Sequence, residues 1–227
     1  MKQADMRQKV REGGWVDRLK AIAAETLGRI VSRPDTGRID SLDRVFHFAR
    51  TRSAMMTQKK LYGYLKERIG IRYPEEFARP DFAKSIRVAT GHIYAAALAD
   101  LTVFCIANGL SDERFGDKAR RQAAVRCYEQ GLAENAGGDE MAMSRRDWAA
   151  SFGERVARTI WRPGEGGWHF SESPAALIRW APIADELKKL DREIVENSLR
   201  FAWIEVRSDF LARVDSASIA AAGDPPV

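Results

Sequence analysis

Apolar positions along this chain recur every three or four residues, and no stretch alternates every two. Val16, Leu19, Ile22, Ala23, Leu27 and Ile30 set that period over Trp15 to Val31, the spacing of one helix face. Gly13 and Gly14 detach this segment from residues 1–13, a charged leader expected to be flexible. "SRPDTGRID" breaks the period, and Asp40 is placed to cap the next helix. The pattern predicts that second helix from about Ser41 to Ile69. Leu42, Val45, Phe46, Ala49 and Met56 form one of its apolar stripes, while Phe48, Met55, Tyr62 and Ile69 recur every seven residues as another. Two stripes predict burial from two sides, centrally or against a partner.

After breaks at Gly70, Pro74 and Pro80, a third helix is predicted over about 81–108. From Ile93 to Ala107 it is apolar all round, which in a globular protein marks the core helix. Asn108 and Gly109 suit a left-handed helix end, and Ser111 can cap a fourth helix running to about Ala133. Ser144 with Asp147 resembles a capping box for a fifth, through Trp148, Phe152, Val156 and Ile160. Ser173-Pro174 is a start signal for another. The last helix, about Pro182 to Val214, carries Ile183, Leu187, Leu190, Ile194 and Phe201 on one face and Val195, Leu199, Trp203, Val206 and Phe210 on a second. The expected architecture is all-α: a single domain over residues 14–214, six or seven helices around a buried central one, with a disordered tail at 215–227.

Composition adds limits. The chain has 227 residues, 45% hydrophobic and 30% charged, enough to bury a core without staples. Its two cysteines, Cys105 and Cys127, form no CxxC pair and fit a reducing cytosol. The leader lacks the apolar stretch of a signal peptide. Ile93–Ala107 is short for a bilayer span and carries Asp100, so no transmembrane segment is expected.

Net charge is +5, concentrated locally: residues 29–72 hold eleven Lys or Arg against four acids. On the helix of 41–69, Arg44, Arg52, Lys59 and Lys66 share a sector with Phe48, Met55 and Tyr62. Basic side chains interleaved with aromatics can hold a phosphate backbone or an acidic protein. The same pattern describes a packing or oligomer seam flanked by long basic stems.

Several chemistries find no motif. GxSxG, HExxH, GxxxxGK[ST] and GxGxxG are all absent, and no catalytic residue, metal site or cofactor is expected. Asp43 with His47 is a lone i,i+4 pair, more often a surface contact than a metal site. Asp100 must find a partner, because an unpaired buried charge costs several kcal/mol. It either meets an Arg or backbone donor, or forms with His92 the polar floor of a pocket. The loop "WRPGEGGWHFSESP" reads first as a connector anchored by Trp161, Trp168, Phe170 and Trp180, and second as a binding loop using Trp168 and His169.

The runs "LYGYLKERIGIRYPEEF", "YAAALADLTVF" and "WAPIADELKKLDREIVENSLRFAW" resemble an uncharacterised all-helical bacterial family over most of residues 41–205. Some of its members carry the label "esterase", with no catalytic motif to transfer. The resemblance implies a bacterial cytosolic helical protein. Taken together, the sequence favours a non-enzymatic protein acting through protein contacts, with self-association possible through the two-striped helices. A small-molecule binder or hydrolase with a pocket near His92 and Asp100 comes second. Nucleic-acid or anionic-surface binding by the helix of 41–69 comes third.

Overall fold

The structure, a computed structural model, describes residues 35–136, 141–164 and 169–222. The leader, the helix predicted over Trp15–Val31, and Trp168 lie outside the described residues. Helix α1 spans Leu42–Ile69 and runs through a 3-10 turn, Gly70–Arg72, into α2, Tyr73–Phe77. Then come α3 (Pro80–Gly109), α4 (Asp117–Asn135), α5 (Ala142–Ala157), α6 (Glu172–Trp180), α7 (Asp185–Arg213) and α8 (Ser216–Ala221). Among the described residues the only extended pairing is an isolated bridge between Ile39 and Val214. The fold is an all-α bundle.

Its axis is α3, which packs against α1, α4 and α6. From Ala89 to Gly109 every residue except His92 and Ala96 is buried. The helix is long and apolar enough to cross a membrane, yet 89% of its most apolar window is covered by the rest of the chain. Surrounding helices thus do what lipid would otherwise do, and remove the greasy surface from water. Much of both stripes of α1 is buried too: Val45, Phe46, Ala49 and Met56 on one, Phe48 and Tyr62 on the other, while Met55 of the second is exposed.

Close approach explains two glycines. A Cβ at Gly131 of α4 would lie 2.6 Å from Leu98 and 3.3 Å from the Tyr94 hydroxyl, which donates to the Gly131 carbonyl at 3.0 Å. A Cβ at Gly109 would meet Val45 at 3.3 Å. Gly109 therefore ends α3 for lack of room, not in the left-handed conformation that its sequence neighbourhood suggests; among the described residues only Gly70 and Gly164 have positive φ.

Several helix starts differ from the sequence pattern. Helix α5 opens at Ala142, after the buried Met141 that packs against Gly91, so Ser144 sits inside the helix and caps nothing. Helix α4 opens at Asp117 behind Gly116, and the turn before it is built by Asp112 accepting from the Arg114 amide. Beyond Val214 the expected disorder gives way to α8. Asp215 caps it by accepting from Ser218, and Ile219 and Ala220 are buried. The same region clamps chain entry to chain exit, since Ile39 donates to Arg213 and accepts from Asp215, both at 2.9 Å.

Gly131→Ala is expected to cost about 1–3 kcal/mol by overpacking Leu98. Gly153→Ala, in α5 with nothing within 4 Å of a new Cβ, should stabilise by about 0.5–1 kcal/mol. Urea denaturation of the two variants checks both signs.

Candidate functional site

Asp100 sits two-thirds of the way along α3 with 0% exposure, and four donors converge on its carboxylate. Arg155 of α5 reaches Oδ1 at 2.9 Å. The Glu172 amide approaches Oδ1 at 3.4 Å, and the Ser173 amide donates to Oδ2 at 2.8 Å. The Ser173 hydroxyl donates to Oδ2 at 2.7 Å and accepts from the Trp203 indole of α7 at 2.9 Å. These amides are the unsatisfied first donors of α6, so an acid from another helix caps it. The sequence pattern makes Ser173 the cap; in the fold Ser171 takes the flanking position, and the Ser173 hydroxyl serves the carboxylate. Arg155 also donates to the His169 carbonyl at 2.7 Å and pairs with Glu172 at 3.0 Å. Burial pushes the Asp100 carboxyl up to about 6, while Arg155 and the Ser173 donors pull the other way. This is the partnered acid of the sequence reading. With both directions of its hydroxyl committed and no exposure, Ser173 has no freedom to attack a substrate.

His92 lies apart from Asp100, at the one open strip of α3. Its ring stacks on Trp180 with centroids 3.4 Å apart and meets Trp148 edge-on at 4.9 Å. Burial, then Arg179, lowers its pKa. The ring borders a cavity of about 390 Å³, whose walls include Tyr128, Phe152, Glu172 and Arg179. Asp100 is sealed behind this cavity and forms no part of its floor.

The described ends of the aromatic connector are docked. Trp161 and Phe170 are buried, and Phe170 packs on Phe104 and Trp203. Asn108 at the end of α3 accepts from the Gly164 amide at 2.8 Å. His169 is 2% exposed, edge-on to Phe104, so it lies in the core rather than on a binding surface.

The basic stripe of α1 is mostly spoken for within the chain. Phe48 is 4% exposed and packs on Phe210, with Arg52 and Arg213 over its ring. Tyr62 is buried, its phenol pushed up to about 12 by desolvation. Neither can touch a partner, because Phe210 of α7 covers one ring and Phe77 of α2 the other. Arg52 pairs with Asp209 of α7 at 2.6 Å. Arg44 lies near Asp35 and Asp40, and Lys66 stands over Tyr73. Met55 and Lys59 are exposed, and line a groove of about 650 Å³ opposite Glu205 and Asp209. Acids facing bases across it leave no single-sign field for a phosphate backbone.

Of the two apolar faces that the pattern predicts on the last helix, α7, only one turns inward. Val195, Leu199, Trp203 and Phe210 face the core, with Asp191 among them held by Tyr64 at 2.9 Å and by Arg68. The other apolar stripe faces away. Leu190 is 77%, Ile194 73% and Phe201 71% exposed, with Ile204 and Leu187 beside them. This stripe stays open to water on the outer side of the helix. The signal was in the sequence as two stripes on one helix; only the buried polar partners say which one turns inward.

No group of three or more His, Cys, Asp or Glu is placed to hold a metal among the described residues. His47, the metal candidate's histidine, has Nδ1 3.3 Å from Arg50, which pairs with Glu134. No protein-family model, curated protein or solved structure matches the chain.

Replacing Asp100 with Asn turns one acceptor into a donor facing donors, and is expected to cost about 3 kcal/mol, read from urea midpoints. A second expectation concerns pH. Burial, then Arg155 and Arg207, lowers the His169 pKa from 6.5 to about 4. Between those values the unfolded chain binds a proton that the folded chain refuses, so stability falls as pH falls. Asp100, raised from 3.8 to about 6, acts oppositely over its own window, because there the folded chain holds the extra proton. His169→Gln removes the first effect alone. Relative to the parent, the variant should gain stability between pH 6.5 and 4; parallel pH profiles of the urea midpoint would contradict this assignment.

Proposed function

We propose that this chain is a non-enzymatic protein that works through protein contacts, made by a helix laid along the outer face of α7. The observation that carries the reading is the stripe of Leu190, Ile194 and Phe201, exposed on a helix whose opposite face is anchored in the core. Leaving these side chains in water forgoes roughly 1.5–3 kcal/mol each, a cost that a docking partner would recover. The free, buried thiols of Cys105 and Cys127 suit a reducing cytosol. A second reading rests on the cavity beside His92. Its size and aromatic lining fall in the range of small-molecule sites, and Arg179 with Glu172 at its rim would orient a polar ligand.

Site-specific photo-crosslinking in the native cell tests the first reading. A benzophenone side chain placed at Ile194 or at Phe201 should give protein adducts, and one at the exposed Lys118 of α4 should not. Absence of adducts from both α7 positions would overturn it.

A further inference from the structure

We infer that the occupant of the α7 face is a second copy of this chain, with the two α7 helices paired antiparallel about a twofold axis near residues 195–196. This rests on the protein-contact reading above and supplies its partner. The first argument is spacing. Leu187, Leu190, Ile194, Phe201 and Ile204 succeed one another at intervals of three, four, seven and three, and Asn197 occupies the position between. That is the a and d pattern of a two-helix seam, which knobs-into-holes packing requires and a flat contact does not. Over residues 187–204 it extends about 27 Å at the helical rise.

Charge chooses the orientation. Along one edge of this seam lie Glu186, Glu193, Arg200 and Arg207, again one every seven residues. The two acids occupy the first half of the edge and the two bases the second. In an antiparallel pair with Leu187 of one copy opposite Ile204 of the other, Leu190 meets Phe201 and Ile194 meets Asn197. Glu193 then flanks Arg200 of the other copy, and Glu186 flanks Arg207, each pair occurring twice by symmetry. A parallel pair loses this match, since the edge residues Glu186 and Glu193 would instead approach Asp191 and Ser198. In the single copy Arg200 already leans on Glu196 at 3.2 Å and on Asn197 at 3.0 Å, so its guanidinium is poised beside the seam. Arg207 is held over the Phe170 ring, 5.6 Å from its centroid.

Asn197 fits the same geometry. A lone polar side chain in an apolar seam lowers affinity and selects one register. Here the two Asn197 side chains fall in adjacent layers on either side of the axis. The mixed sign of the edge also separates this face from an interfacial lipid helix, whose polar border is dominated by Lys and Arg.

Sedimentation equilibrium of the full chain is expected to give a concentration-dependent dimer, and Ile194→Glu should give a monomer with an unchanged helical circular dichroism spectrum. Glu193→Arg and Arg200→Glu should each raise the dissociation constant about tenfold, and the double exchange should restore it. Orientation is read by thiol pairing: Leu187→Cys and Ile204→Cys should each fail to form a disulfide dimer alone and form one when mixed. Leu187→Cys pairing with itself would overturn the antiparallel arrangement. A full chain that stays monomeric at all concentrations would overturn self-pairing. If adducts to another protein at Ile194 and Phe201 persisted in that case, the protein-contact reading would survive with a foreign helix as the occupant. If they too were missing, both would fall.

Discussion

The bundle depends on one buried carboxylate. Asp100 sits in an apolar helix and accepts from α5 and from the start of α6, and through Ser173 it holds the α7 indole of Trp203. A charge buried this deeply is tolerated only where it is fully hydrogen-bonded, and here every contact to it is a donor. Four helices therefore share a single satisfied centre. Around it the packing is apolar and nearly non-directional. The carboxylate supplies what burial alone does not, a fixed angular relation among the helices that surround α3.

That angular relation also sets how α7 is turned. Helix α7 carries two apolar faces of similar strength, so burial by itself would accept either of them against the core. Three polar attachments break the tie. Trp203 reaches Ser173, Asp191 meets Tyr64 and Arg68, and Asp209 meets Arg52. All three lie on the inner side and fix the rotation of the helix about its own axis. The face of Leu190, Ile194 and Phe201 is thereby presented outward on a rigid support. A pairing surface benefits from such a support, because little ordering remains to be done on binding. Buried polar groups thus act here as specificity devices, setting which greasy face turns inward.

Much of this was legible in the residues. The periodicity located the long helices to within a few positions, and the all-round apolar run of Ile93–Ala107 marked the core helix. Asp100 stood out as an acid that needed donors. Its donors did not, because Arg155 and Ser173 lie 55 and 73 residues further on and nothing local distinguishes them from other Arg and Ser. The helix starts at Met141 and Ser171 were missed for the same reason: a tertiary contact did the work of a local cap. On α1, aromatic and basic residues sharing a sector fitted a packing seam and a contact surface alike. In the fold Phe48 and Tyr62 are core, and their neighbours Arg52 and Lys66 lie along the packed helices by their stems. The His92 cavity had only a single ring to announce it, and the Trp180 that stacks on it comes from a distant helix.

Amide hydrogen exchange at Ser173 tests the centre most directly. This amide is the second residue of α6, where an ordinary helix would leave it open to water. If Asp100 holds the bundle together, Ser173 should exchange only through global unfolding, with a protection factor matching the core amides of α3. Exchange as fast as at an exposed first turn, with the core of α3 still protected, would contradict the account.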